Sequence, residues 1–137
     1  MKTKKILIID DSNIDRYMLC EYLKSIQTVK YEFLEASSAE MGLELLDEII
    51  PDCILLDNIM IGYEMNGIDA LPFIKKTRNK FTPIIMITGS PTKAIEERAI
   101  DNGVSFFLDK VLLDPFFLHE HIEKAIKLNS ELRAMTA

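Results

Sequence analysis

Cysteine is scarce: Cys20 and Cys53 are the only two in 137 residues, and they do not form a C-x-x-C pair. That excludes a disulfide scaffold or a cysteine metal site and leaves two buried free thiols as the expectation. Positive charge is also short. Sixteen Lys and Arg against 22 Asp and Glu leave a net charge of −6, the wrong sign for a surface that binds nucleic acid directly. No apolar run approaches the roughly 18 residues of a membrane span. The basic start Met1–Lys5 leads into an apolar run that stops at Asp10, too short for a signal-peptide core. Repeats, linkers and low-complexity segments are missing. So are G-x-G-x-x-G and Walker-type loops, which excludes the nucleotide-binding enzymes that use them. The expectation is one cytoplasmic domain over residues 1–137, 48% apolar and 28% charged, large enough to bury its own core.

What the chain does have is short continuous apolar runs that end in polar groups. Ile6–Ile9 is closed by Asp10 and Asp11, Cys53–Leu56 by Asp57, and Ile84–Ile87 by Thr88, while Lys110 follows Val104–Leu108. Runs of this length read as strands buried on both faces of a parallel sheet. Between them the spacing predicts helices over about 13–27, 69–79 and 92–101, and one from Asp114-Pro115 onward. In the first, Ile14, Met18, Tyr22 and Ile26 repeat at helical spacing. Ser37 and Glu40 read as a capping box that starts a further helix through Leu45, Leu46 and Ile49. Asn102-Gly103 reads as a helix terminator. Tyr31–Ala36 alternates apolar and polar residues, as an edge strand does. The fold class is therefore α/β, a doubly wound five-stranded parallel sheet in flavodoxin-like order 2-1-3-4-5 with helices on both faces.

In such a sheet ligands bind at the carboxyl edge. That edge would hold three carboxylates, a hydroxyl and an ammonium: Asp10, Asp11, Asp57, Thr88 and Lys110. Three neighbouring carboxylates repel one another unless a cation joins them, and an all-oxygen set suits a hard ion such as Mg²⁺. Beside it, Lys110 would pair with an anionic ligand and Thr88 would donate a hydrogen bond to it. The set suits attack of a carboxylate on phosphorus. Taken singly, each group has a plain structural role: Asp11 or Ser12 could cap a helix, Thr88 could sit in a turn, and Lys110 could be a solvated charge.

The stretches Ile-Ile-Asp10-Asp11-Ser, Pro51-Asp-Cys-Ile-Leu-Leu-Asp57, Pro83-Ile-Ile-Met-Ile-Thr88-Gly89 and Gly103-Val-Ser-Phe-Phe107-Leu-Asp-Lys110 occur in that order. With them the chain resembles, over essentially its whole length, the receiver domain of two-component response regulators. The resemblance implies a signalling module whose only catalysis is its own phosphorylation and slow dephosphorylation. Asp57 would be the phosphoacceptor, taking its phosphoryl group from a phosphohistidine on a sensor histidine kinase or a histidine phosphotransfer protein. Asp10, Asp11, Asp57 and the backbone carbonyl of Ile59 would hold Mg²⁺, and Thr88 and Lys110 would contact the phosphoryl oxygens. Thr88 and Phe107 would form the switch, read out on the face of the fourth helix, fifth strand and fifth helix by an output partner or a downstream domain. A phosphorylation-dependent dimer belongs to the states the resemblance allows.

Three features depart from the family pattern. Met60 is followed by Ile61 rather than Pro, and the matching glycine is Gly67, ten residues beyond Asp57 instead of eight, so the loop 58–66 is two residues longer. Val111 replaces the proline that usually follows Lys110 in a cis peptide, leaving either a cis bond or a different trans turn. The segment Lys110–Pro115 resembles receivers attached to sensor kinases and other multidomain signalling proteins. Ser90 stands where side-chain size tunes access to the acyl phosphate. A degenerate receiver that binds partners without phosphorylation is the alternative, favoured by the loop and Val111 and opposed by the complete polar set. A phosphatase of the haloacid dehalogenase type is disfavoured because Asn58 and Ile59 follow Asp57. His119 and His121 are expected at the surface or rim, Phe116 and Phe117 to dock the last helix or, for one of them, to face a partner, and the seven methionines to fill the core.

Overall fold

The computed structural model describes residues 1–62 and 64–136. Five strands, β1 (Lys2–Ile9), β2 (Val29–Ala36), β3 (Cys53–Leu56), β4 (Ile84–Thr88) and β5 (Phe106–Asp109), form one parallel sheet in the order β2-β1-β3-β4-β5. Four helices connect them, α1 (Asn13–Lys24), α2 (Ala39–Leu46), α3 (Gly67–Lys76) and α4 (Lys93–Asp101), and α5 (Pro115–Thr136) follows β5. A 3₁₀ turn, Lys110–Leu112, lies between β5 and α5. The doubly wound order expected from the apolar runs is the observed one.

Successive strand side chains point to opposite faces, so the sheet serves two cores at once. Ile6, Ile8, Leu55 and Ile85 pack with Leu19 and Leu23 of α1 and Leu118, Ile122 and Ala125 of α5. Leu7, Ile9, Ile54, Leu56 and Met86 pack on the other face with Leu46, Leu71, Ile74 and Ala99 of α2, α3 and α4. Each fully buried Leu or Ile contributes about 1.5–3 kcal/mol, which is why the runs must be apolar on both faces. β2, paired only to β1, alternates buried Val29 and Tyr31 with exposed Lys30 and Glu32.

Several local expectations are corrected. Ser38, not Ser37, caps α2: its extended backbone aims the hydroxyl to accept from the Met41 N–H at 3.1 Å. α1 stops at Lys24 and presents Leu19, Cys20 and Leu23 inward, leaving Ile14 79% exposed. α3 starts at Gly67 and ends at Lys76, where Thr77 turns to extended backbone and its hydroxyl donates to the Ile74 carbonyl at 2.7 Å; beyond it the buried Asn79 turns its amide onto the carbonyls of Leu46 and Ile49, both at 2.9 Å. β5 begins at Phe106; before it, Gly103 takes a φ of +99° after the α4 cap Asn102, as the Asn-Gly pair requires.

On α5 the inward stripe is Leu118, Ile122 and Ala125, so Phe116 is exposed and Phe117 largely so. His119 lies beside that stripe and is buried, sharing a 2.7 Å hydrogen bond with the Tyr31 hydroxyl and pairing with Glu123 through Nε2. His121 stays at the rim, its ring against Phe106 and Phe117. Of the methionines, Met60 and Met86 are core residues, whereas Met1, Met41 and Met135 are exposed. Cys20 and Cys53 are buried free thiols, as expected. No helix among the described residues is long and apolar enough to cross a membrane.

Candidate functional site

The carboxyl edge gathers the polar groups that close β1, β3, β4 and β5. Asp10 ends β1 with its N–H on the Ala36 carbonyl, and Asp57 ends β3 with its N–H on the Ile9 carbonyl, so the backbones of both acids are fixed by the sheet. Asp10 is then held at every acceptor. Its Oδ1 accepts from the Ser12 N–H (2.9 Å), its Oδ2 pairs with Lys110 Nζ (2.7 Å), and its carbonyl accepts from Arg16 (2.5 Å). Arg16 is braced in turn by Glu35 and Asn13.

Lys110 reaches the edge from the 3₁₀ turn, and its bond to Val111 is trans. The Asp109 side chain accepts from the Val111 N–H at 3.0 Å and stabilises that turn. The Lys110 stem runs beside Gly89, and the ammonium sits 2.7 Å from Asp10, 2.7 Å from Asp15 and 3.4 Å from Asp57. Thr88, 1% exposed, closes β4 and accepts from the Ser90 N–H. Asp15 is the site residue the sequence reading missed. In the first turn of α1 it reads as an ordinary N-terminal helix acid, and no spacing signal ties it to a residue 95 positions away.

Asp11 is half-buried. Side-chain oxygens of Asp10, Asp11 and Asp57 lie within 4.8 Å of one another. Three carboxylates at that spacing fit a hard divalent cation such as Mg²⁺. The longer loop after Asp57 engages this cluster directly, since the Ile61 N–H donates to Asp11 Oδ2 at 3.0 Å. Met60 is buried beneath the loop, Gly62 takes a φ of +85°, and Ile59 and Ile61 point outward; Tyr63 lies outside the described residues. Gly67 closes the loop, its N–H donating to the Asn58 carbonyl at 2.8 Å, while Asn58 Oδ1 accepts from the Ile68 N–H.

Electrostatics separate the two central groups. Burial, and after it the charge of Asp10, push the Asp57 carboxyl up to about 7 against the opposing pull of Lys110. For Lys110 burial alone would lower the pKa; hydrogen bonds to Asp10 and Asp15 and the charges of Asp57 and Asp10 outweigh it, and the ammonium stays protonated.

A stability prediction follows for metal-free protein. A carboxyl raised in the folded state binds its proton more tightly there than in the unfolded chain. Its ionisation therefore penalises the fold fully above about pH 7, and the penalty is relieved as pH falls towards the ordinary carboxyl range. In chelator, the melting temperature should be higher at pH 6 than at pH 8, and Asp57→Asn should flatten that difference. Identical pH dependence in wild type and variant would contradict this reading of Asp57.

Phe107, paired in register with Met86, is half-buried against the α3–α4 side of the core. Its ring borders a depression lined by Thr92, Glu96, Leu112 and Phe117, on the face of α4, β5 and α5.

The response regulator receiver domain family matches residues 6–123. The chain belongs to this family. It is 32% identical over 132 residues to the sensor histidine kinase CheAY of Helicobacter pylori, covering 92% of the chain and 15% of that protein. To a protein-glutamate methylesterase/protein-glutamine glutaminase of Methanococcus maripaludis it is 34% identical, covering 93% of the chain and 35% of the relative. The chain thus spans a minor part of these two relatives. The response regulator domain of Thermotoga maritima CheB superposes with a TM-score of 0.79 at 27% identity, covering 92% of this chain and 98% of that one.

Proposed function

We propose that this receiver is a phosphoacceptor of a two-component or phosphorelay pathway, with Asp57 as the residue that takes the phosphoryl group. The observation that carries the reading is the protonated Lys110 ammonium 3.4 Å from Asp57, beside three converging carboxylates. The donor would be a phosphohistidine on a sensor histidine kinase or a histidine phosphotransfer protein. The match to a sensor histidine kinase supports such a pathway.

In the transfer an Asp57 carboxylate oxygen attacks phosphorus. The new O–P bond replaces the P–N bond, whose electron pair leaves on the donor imidazole, which takes up a proton. The reaction needs position and charge compensation rather than new covalent chemistry. Lys110 and the Thr88 hydroxyl face the phosphoryl oxygens; Asp10 and Asp11, with Asp57 and the Ile59 carbonyl, would hold Mg²⁺. When bound, the ion offsets the negative charge that the carboxylates and the incoming phosphoryl group bring together.

The same reading makes Thr88 and Phe107 the switch. A phosphoryl group on Asp57 offers new acceptors to Thr88, and the space Thr88 leaves admits the Phe107 ring. That shifts the population of the α4–β5–α5 face and its affinity for an output partner, a downstream domain or a second copy. The module would work in the cytoplasm. A degenerate, phosphorylation-independent receiver is less well supported, because no group the chemistry needs is missing despite the longer loop and Val111.

Incubation with acetyl phosphate tests the reading. Labelling should require Mg²⁺, stop with chelator and be lost in Asp11→Ala. Mg²⁺ alone should raise the melting temperature, since a ligand at 100 times its Kd adds about 2.7 kcal/mol to the folded state. Chelator-insensitive labelling would overturn the assignment of the acidic cluster.

A further inference from the structure

Lys110 has three N–H donors and three carboxylate neighbours. Two of them, Asp10 and Asp57, belong to the cluster whose oxygens converge as a cation site; the third, Asp15, does not. Asp15 stands in the first turn of α1, where its own N–H is held by the Ser12 cap at 3.2 Å. Its side chain reaches Lys110 at 2.7 Å, closer than Asp57 does, and is 34% exposed against 7% for Asp57. Asp15 therefore holds the ammonium from the solvent side, while Asp10 and Asp57 hold it from within.

The two inner contacts change once the site is in use. A cation held by Asp10, Asp11 and Asp57 would compete with Lys110 for the carboxylates of Asp10 and Asp57, and a phosphoryl group would turn the Asp57 carboxylate into an acyl phosphate. The Asp15 contact is the one that neither event consumes. Without it a four-carbon stem leaving a short 3₁₀ turn is free to carry its strongly hydrated ammonium into water. We propose that Asp15 is a positioning residue: it anchors Lys110 from outside the acidic cluster and keeps the ammonium on the phosphoryl oxygens after the cation is bound. The proposal rests on the phosphoacceptor reading above.

The anchor has a distinctive signature. Asp15→Asn keeps the size and the helix position but replaces a charged acceptor by a neutral one. In Mg²⁺, its affinity for beryllofluoride, which stands in for the phosphoryl group on Asp57, should fall about tenfold, the scale of one charge-assisted hydrogen bond. The rate of labelling at saturating acetyl phosphate should fall by a similar factor. Mg²⁺ affinity should change much less than beryllofluoride affinity, since Asp15 lends no oxygen to the acidic cluster. The Nζ protons of Lys110 should exchange slowly in wild-type protein with Mg²⁺ and beryllofluoride and fast in the variant. Asp15→Glu, which restores the charge on a longer arm, should recover most of the beryllofluoride affinity and the slow exchange.

A plain helix-capping role would instead lower the melting temperature and leave the ratio of beryllofluoride to Mg²⁺ affinity unchanged. That pattern overturns the proposal, as does an Asp15→Asn variant that binds beryllofluoride and labels at or above the wild-type level. If wild type itself takes no label, the phosphoacceptor reading fails first and the proposal with it. If wild type labels and Asp15→Asn matches it, only the proposal fails.

Discussion

Asp57→Asn should take up no phosphoryl group from acetyl phosphate and Mg²⁺, while in chelator near neutral pH it should fold at least as stably as wild type. The expected drop in labelling is at least about a hundredfold, because the amide has no anionic oxygen with which to attack phosphorus. Its stability should move the other way. The buried carboxyl, pushed up to about 7 by desolvation and by Asp10, costs the fold free energy when it ionises, and the amide removes that charge. Loss of labelling with gain of stability separates a chemical role from a structural one. Intact-mass measurement beside a thermal melt checks both; labelling of the variant at the wild-type level would move the acceptor to another residue.

Gly67→Ala should cost about 3 kcal/mol or more, at or above the top of the usual overpacking range of about 1–3 kcal/mol. A methyl group there would stand 2.2 Å from the Asp57 carbonyl oxygen and 3.0 Å from both the Asp57 carbonyl carbon and the Asn58 Cα. All three are backbone atoms, tied down by the Gly67 N–H to the Asn58 carbonyl and by the Asp57 N–H to the Ile9 carbonyl. Neither wall has a rotamer to yield. Relief comes only by moving α3 or by moving the end of β3 next to Asp57. Urea denaturation should show the loss, and any folded variant should label slowly. Gly42→Ala is the control: its methyl would meet chiefly the end of the Ile9 side chain at 2.5 Å, which can shift, so the cost should be smaller. Equal stability of Gly67→Ala and wild type would contradict the packing described for the loop.

The sheet was legible because its strands are buried on both faces, and only near-continuous apolar runs satisfy that demand. The ends of those runs placed Asp10, Asp11, Asp57, Thr88 and Lys110 on one edge without any structure. Gly67 could be matched as a displaced glycine, and its closeness to the Asp57 carbonyl gives the physical reason for a glycine there.

What the chain hid is of two kinds. Neighbouring residues of the same type are not separable by pattern, so the cap fell on Ser37 instead of Ser38. Long-range pairings leave no local trace: Asp15 with Lys110, His119 with Tyr31, and Asn79 with the end of α2. The burial of His119 had a usable signal. Leu118, Ile122 and Ala125 define the inward stripe, and that spacing brings His119 to its border and turns Phe116 away.

The central claim is that the phosphoryl group resides on Asp57, and trapping it there is the most direct test. Wild-type protein, labelled with acetyl phosphate and Mg²⁺ and reduced at once with borohydride, should yield homoserine at position 57 and aspartate at positions 10, 11 and 15. Mass spectrometry of the peptides distinguishes these sites. Homoserine at any of the other three, or a wild-type chain that gains no phosphoryl mass before reduction, would contradict the account.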